Sequence, residues 1–215
     1  MREGTTIEGV DTAGTLTSGG DNGFRPDSFA EEAELGDDEE SMSTIGVSIP
    51  IPQPWREQLD NARIEAGDPN GGIVPAHVTL LGPTEVPRSD LDSVERHLHE
   101  VAEQSRPFTL HLRGTGSFRP ITEVVFVAIA EGISSCEQLA GRIRSKLLWR
   151  PLRFPYHPHV TIAHDVDSAA LDSIFSKFAT FEAKFEVDSF TWYLHKSEPT
   201  NTEWLPQRTF ALRAA

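Results

Sequence analysis

The chain has 215 residues, a mass of 23.8 kDa, 38% hydrophobic and 24% charged residues, and a net charge of −14. That length suits one large domain or two small lobes. No stretch approaches the roughly 20 apolar residues of a membrane helix, no basic segment leads into an apolar one as a secretory signal would, and the single cysteine, Cys136, excludes an internal disulfide or a multi-cysteine metal site. The expectation is a cytoplasmic monomer with no membrane partner.

The acidity is uneven. Residues 1–41 hold 12 of the 33 acidic groups and 2 of the 19 basic ones, so they carry −10 and the remaining 174 residues only −4. That first segment is rich in Gly, Ser and Thr and lacks apolar periodicity, so residues 1–41 read as a disordered acidic extension and 42–215 as the folded domain. Met42 reads as an alternative start. An acidic interaction tail is the functional alternative for the extension. The bulk charge argues against a protein that coats nucleic acid through its phosphates.

In chain order, Thr44 to Ile51 reads as a strand. Pro54 opens a helix to Ala66, ended by the turn-forming run Gly67-Asp68-Pro69-Asn70-Gly71-Gly72. Ile73 to Leu81 reads as a second strand. Ser89 and Asp92 suggest a capping box for a helix with Leu91, Val94, Leu98 and Val101 on one face. Phe108, Leu110 and Leu112 alternate as in a half-buried strand, and Glu123 to Ala130 is apolar enough for a central one. Ser134 and Glu137 then suggest a cap for a helix carrying Cys136, Leu139, Ala140, Ile143 and Leu147. His159 to Ala163 is a short strand, Leu171 to Phe178 a helix, and Phe185 to Leu194 and Thr209 to Leu212 strands. The order helix, strand, helix, strand occurs twice, which predicts an internal duplication and an α+β architecture of two similar lobes.

The strongest signal is a repeated strand. Pro75-Ala76-His77-Val78-Thr79-Leu80-Leu81 and His157-Pro158-His159-Val160-Thr161-Ile162-Ala163 each carry H-V-T, 82 residues apart, at matching places in the two halves. A third match, His195-Lys196-Ser197, has no such context and reads as incidental. Side chains alternate along a strand, so His77 and Thr79 share one face while Val78 and Leu80 anchor the other. His159 and Thr161 repeat the arrangement. Two histidines across a cleft suit in-line displacement at phosphorus: one imidazole takes a proton from water and the other donates one to the leaving oxygen. The threonine hydroxyls can hold the charge on the non-bridging oxygens.

These paired H-V-T strands resemble the 2H phosphoesterase superfamily, in particular its bacterial 2′-5′ RNA ligase-like, or RNA 2′,3′-cyclic phosphodiesterase, branch. The resemblance spans about residues 44–212. It implies a bilobal, pseudo-two-fold α+β fold with antiparallel sheets lining a central cleft and helices outside. It also implies hydrolysis of 2′,3′-cyclic phosphates, on RNA ends or small cyclic nucleotides, to 2′-phosphates without a metal or cofactor. On that basis His77 and His159 are the acid/base pair and Thr79 and Thr161 the phosphate binders. Many relatives place an arginine where His164 stands here. Arg119 and Arg153 are further candidates for substrate phosphate, and Tyr156 or Phe118 for stacking on a base. His97, His99 and His111 read as structural or solvent-facing, His157 as a residue of the cleft rim, and Trp55, Trp149, Trp192 and Trp204 as packing residues. The alternatives are reversible 2′-5′ RNA ligation in the same cleft, a non-catalytic nucleotide or RNA-end binding module, and a relative acting on a non-RNA phosphoester.

Overall fold

A computed structural model describes residues 41–198 and 201–213 of the chain. Apart from Ser41, the extension expected over residues 1–41 lies outside the described residues. The elements in chain order are β1 (Met42–Pro50), α1 (Trp55–Ala66), β2 (His77–Pro87), α2 (Leu91–Glu103), β3 (Phe108–Ser117), β4 (Val124–Glu131), α3 (Ile133–Ile143), β5 (His159–His164), α4 (Ser168–Lys177), β6 (Glu182–Val187), β7 (Ser189–Glu198) and β8 (Asn201–Ala211). No helix among the described residues is long and apolar enough to cross a membrane.

The strands form two antiparallel four-stranded sheets, ordered β2-β1-β7-β8 and β5-β4-β3-β6. The duplication is visible in those orders. Each H-V-T strand lies at the edge of its sheet, next to the strand that opens its half of the chain. The helices also exchange: α1 packs on β5 and α3 on β2, while β2 and β5 meet at the seam. One face of each edge strand is fully apolar and enclosed, through Val78 and Leu80 in β2 and Val160 and Ile162 in β5. Burying such side chains stabilises each lobe by roughly 1.5–3 kcal/mol apiece. It also forces the intervening His and Thr to the opposite face.

The fold departs from the sequence reading in places that have physical causes. The strand expected from Ile73 begins only at His77, because α1 holds the preceding loop through polar contacts. Asp60 accepts the Ala76 N–H at 2.6 Å, and the Arg63 guanidinium donates to the Val74 carbonyl at 3.0 Å. The strand expected over 185–194 is two strands that part at Asp188, where the chain leaves one sheet for the other: β6 pairs with β3 and β7 with β1. Neither expected capping box opens its helix. A 3₁₀ turn, Arg88–Asp90, leads into α2. Helix α3 starts at Ile133 behind Gly132, whose φ of 100° and contact with the Thr109 carbonyl leave no room for a side chain. The side-chain cap that forms is Asp167, which accepts the Ala170 N–H at 2.8 Å ahead of α4.

Arg63 and Asp68 form an ion pair at 3.1 Å that is almost wholly removed from water, with side-chain exposures of 6% and 0%. The pair closes the loop that ends at His77. Removing one partner strands the other charge, a cost of about 3–5 kcal/mol. Arg63→Met is therefore expected to lower unfolding free energy by about that amount in urea denaturation, whereas the double variant R63M/D68L recovers a substantial part of it.

Candidate active site

The two edge strands bring His77, Thr79, His159 and Thr161 into the lining of one cavity of about 630 Å³. Both pairs are half-buried and point the way strand alternation requires. In register, Thr79 lies opposite Ser48 and His77 opposite Pro50 on β1, while Thr161 lies opposite Phe126 and His159 opposite Ala128 on β4. The floor of the cleft on the first sheet is thus the even-numbered face of β1, with Gly46, Ser48 and Pro50, continued by Thr191 and Tyr193 of β7.

Each catalytic candidate is oriented by the same local bond. The Nδ1–H of His77 donates to the Pro75 carbonyl at 2.7 Å, and the Nδ1–H of His159 donates to the His157 carbonyl at 2.7 Å. A carbonyl can only accept, so Nδ1 carries the proton and Nε2 is the free basic nitrogen in the neutral ring. The carbonyl two residues back also steadies the imidazolium that forms when Nε2 is protonated.

Burial pushes both imidazoles below the ordinary histidine value of 6.5. The carbonyl bonds oppose that shift. Arg63 adds to it at His77, whereas Asp60 counters it there. At His159 the neighbouring His157 and His77 add to it. The effect of His77 at His159 sets the two rings near enough for a proton on His77 to disfavour one on His159.

The remaining sequence candidates divide. Phe118 and His164 line the cleft. The Phe118 ring meets His159 edge-on at a centroid distance of 4.9 Å and His157 at 5.6 Å, and Phe126 backs both. It therefore walls the histidine as well as facing the cavity. His164 ends β5 with Nε2 3.2 Å from the Asp165 carboxylate.

Arg119, Arg153 and Tyr156 are not brought to the cleft lining. Arg119 is held by Asp172 at 2.7 Å, and Arg153 lies over Phe154. Tyr156 donates its hydroxyl to the Thr79 carbonyl at 2.8 Å, and Arg144 covers its ring at 4.6 Å. Instead of stacking on a base, Tyr156 joins the loop before β5 to β2, and burial with the phenol neutral raises its pKa.

Among the remaining histidines, His97 is buried and donates to the Ile143 carbonyl at 3.0 Å, and His111 pairs with Glu182. Cys136 is fully enclosed, its thiol pushed up to about 12 by burial, in keeping with a packing residue. Trp55 stacks with Phe185 and Trp192 is buried, as packing residues should be, but Trp149 is 63% exposed and Trp204 lines the cleft.

The sequence reading missed Arg56, Arg63, Tyr193 and Trp204, which also line the cavity. Part of the signal was present: in β1 the small or polar Thr44, Gly46 and Ser48 alternate with Ile45, Val47 and Ile49. The arginines come from α1, whose approach to the cleft is a tertiary fact. No Asp or Glu lines the cavity among the described residues, although the chain holds 33 of them. A cleft lined by Arg56, which has no ion-pair partner among the described residues, by three histidines and by several hydroxyls, with no carboxylate, favours an anion.

A family model described as the 2′-5′ RNA ligase superfamily matches residues 50–198. A Bacillus licheniformis protein, provisionally named a phosphoesterase, is 28% identical over 166 residues, covering 76% of this chain and 96% of its own. A Bacillus cytotoxicus protein with the same provisional name is 26% identical over 164 residues, covering 71% and 94%. Among solved structures, Escherichia coli LigT complexed with NADP⁺ superposes with a TM-score of 0.63 at 24% identity, covering 80% of this chain and 99% of that one. LigT has also been solved with 3′-AMP. These superpositions agree with the two-sheet fold described above.

The two histidines contribute to stability with a definite sign. Both are held neutral in the fold, so the unfolded chain takes up protons first as the pH falls. Their contribution is present above pH 6.5, the ordinary histidine value, and is lost as the pH drops through their lowered folded values. A ¹⁵N-resolved titration is expected to show His77 and His159 titrating below 6.5 with Nδ1–H as the neutral tautomer. A value above 6.5 for both rings would contradict the burial argument.

Proposed function

The chain belongs to the 2′-5′ RNA ligase superfamily, and we propose that it is a phosphodiesterase that opens 2′,3′-cyclic phosphates to 2′-phosphates. The observation that carries the reading is the duplicated imidazole. Each Nε2 is left free by an Nδ1–H···O=C bond, and both rings line a cavity that also holds Thr79 and Thr161. The provisional phosphoesterase name of the Bacillus relatives agrees with it, as does the capacity of the LigT fold to hold nucleotides.

In the reaction one neutral imidazole takes a proton from water as the water oxygen bonds to phosphorus. The other, protonated at Nε2, gives its proton to the departing 3′-oxygen, and the P–O3′ bond breaks. The product keeps phosphate on the 2′-oxygen, and the two rings have exchanged protonation states. Negative charge grows on the non-bridging oxygens in between, and on this reading the Thr79 and Thr161 hydroxyls donate to them. Arg56 adds a cation from the first turn of α1, with no ion-pair partner among the described residues. It stands in the cleft of a chain whose second motif ends on His164 rather than arginine.

His77→Ala and His159→Ala are each expected to lower turnover of a 2′,3′-cyclic nucleotide by on the order of 10²–10⁴-fold with the fold intact by circular dichroism. Thr79→Val is expected to cost on the order of 10²-fold, chiefly in kcat. Turnover unchanged in H77A/H159A would refute the mechanism.

The free-enzyme profile has a sign as well. Catalysis needs one ring protonated and one neutral, and both rings are lowered. So kcat/KM for a cyclic phosphate, itself anionic throughout, is expected to peak below pH 6.5 and fall on both sides. A maximum well above 6.5 would place the working proton on some other group.

A further inference from the structure

The cleft does not end at the histidines. A second cavity, of about 1100 Å³, continues along the same face of the first sheet and shares Asn70, Leu81, Gly82, Pro83 and Trp204 with the first. In β1 the floor passes from Ser48, opposite Thr79, to Gly46 and on to Thr44, opposite His195. At about 3.3 Å per residue, each step of two is roughly 7 Å. The second cavity is itself at the upper end of small-molecule sites, which run to about 1,000 Å³. One cyclic mononucleotide does not fill both.

Trp204 sits at the junction. Its ring leans from β8 across β7 and lies over Gly46, so close that a Cβ there would stand 2.9 Å from it. The His195 ring meets it at a tilt of 43°, with centroids 4.8 Å apart. The ring is half-buried and borders both cavities, which is the placement of a stacking wall rather than of an enclosed core residue.

The far cavity also carries its own cation. Arg144 lines it, half-buried and resting on the Tyr156 ring, with no carboxylate within ion-pair distance among the described residues. Arg150 lines it too, tied to the Glu85, Leu147 and Trp149 carbonyls. Glu85 is the one carboxylate in the lining. A desolvated guanidinium without a counter-charge, in a chain of net charge −14, favours an arriving anion.

We infer that the far cavity is the subsite for the nucleotide preceding the cyclic-phosphate end, with Trp204 stacking between the two positions and Arg144 holding the phosphodiester that joins them. This rests on the phosphodiesterase reading and narrows its substrate class to RNA 3′ ends of two or more nucleotides. The two cavities supply two positions, so the gain from chain length is expected to stop at the second nucleotide.

The test compares 2′,3′-cyclic CMP with a dinucleotide and a trinucleotide that end in the same cyclic phosphate, on the full chain. The dinucleotide is expected to have at least a tenfold higher kcat/KM than the mononucleotide, mainly through KM, and the trinucleotide no further gain. Arg144→Gln and Leu152→Glu, which places a carboxylate at the exposed mouth of the far cavity, should reduce the dinucleotide-to-mononucleotide ratio several-fold. Leu152→Gln should preserve it. Trp204→Ala should reduce the ratio, with Trp204→Phe restoring part of it. An equal kcat/KM for the two substrates, or a ratio unmoved by both R144Q and L152E, overturns the subsite.

Absence of turnover on every substrate would refute the phosphodiesterase reading instead. The subsite is then judged by fluorescence anisotropy, comparing affinities for the 2′-phosphorylated mononucleotide and dinucleotide. Equal affinities overturn it.

Discussion

The arrangement depends on a short bond made twice, from a histidine Nδ1–H to the carbonyl two residues earlier. It fixes the tautomer and aims Nε2 at the cleft. It also puts a demand on the loop before each edge strand, which must hold one carbonyl still without pairing into the sheet. The two lobes meet that demand by different means. In the first, Arg63, Asp68 and Asp60 tie residues 68–76 to α1 and to one another. In the second, Tyr156 reaches across the seam to the Thr79 carbonyl, so the loop that orients His159 is anchored on the strand that carries His77. A buried ion pair in one lobe and a half-buried phenol in the other therefore serve one geometric end. The second couples the two halves of the site directly.

Charge is distributed to the same purpose. A chain with an excess of carboxylates would repel a phosphate if they were spread evenly. Instead, most of the net charge sits in the first 41 residues, and among the described residues the cleft lining contains no carboxylate. The acidity of the whole and the anion preference of the cleft are compatible because field lines in a low-dielectric cleft are set by its walls. Burial meanwhile keeps both imidazoles neutral at rest, so the empty cleft does not carry two like charges facing each other.

Much of this was legible in the residues. The duplicated H-V-T strands predict the two-lobed plan, and strand alternation alone assigns His77, Thr79, His159 and Thr161 to one kind of face. The apolar run of β4 marks an interior strand, and it lies between β5 and β3. What was not legible depends on contacts far apart in sequence. The ladder that would have continued β2 back to Ile73 loses to α1, an outcome that no local propensity records. The sequence around Arg119 suits a substrate contact, but Asp172, 53 residues on, holds its guanidinium. The partner of Tyr156, the Thr79 carbonyl, likewise lies 77 residues away, where no local pattern points to it. Trp204 was missed because its importance comes from Gly46, two strands over, which has no side chain to lift the ring off the floor.

The pseudo-symmetry is close at the chemical centre and broken around it, and the break assigns different tasks to the lobes. Behind His159 stand Phe118 and Phe126, a rigid apolar wall that desolvates the ring and limits its rotation. The lining of the cleft also carries Arg56, Tyr193 and the half-buried Trp204, from α1, β7 and β8. Two identical lobes would hold a phosphate between equal walls and could not tell the two ends of a nucleotide apart. In the proposed reaction, walls of unequal character would give the nucleoside a preferred direction in which to extend, and that direction would decide which ring meets the water and which the leaving oxygen. The duplicated motif alone leaves these roles interchangeable, so on that reading their assignment rests on the unequal surroundings.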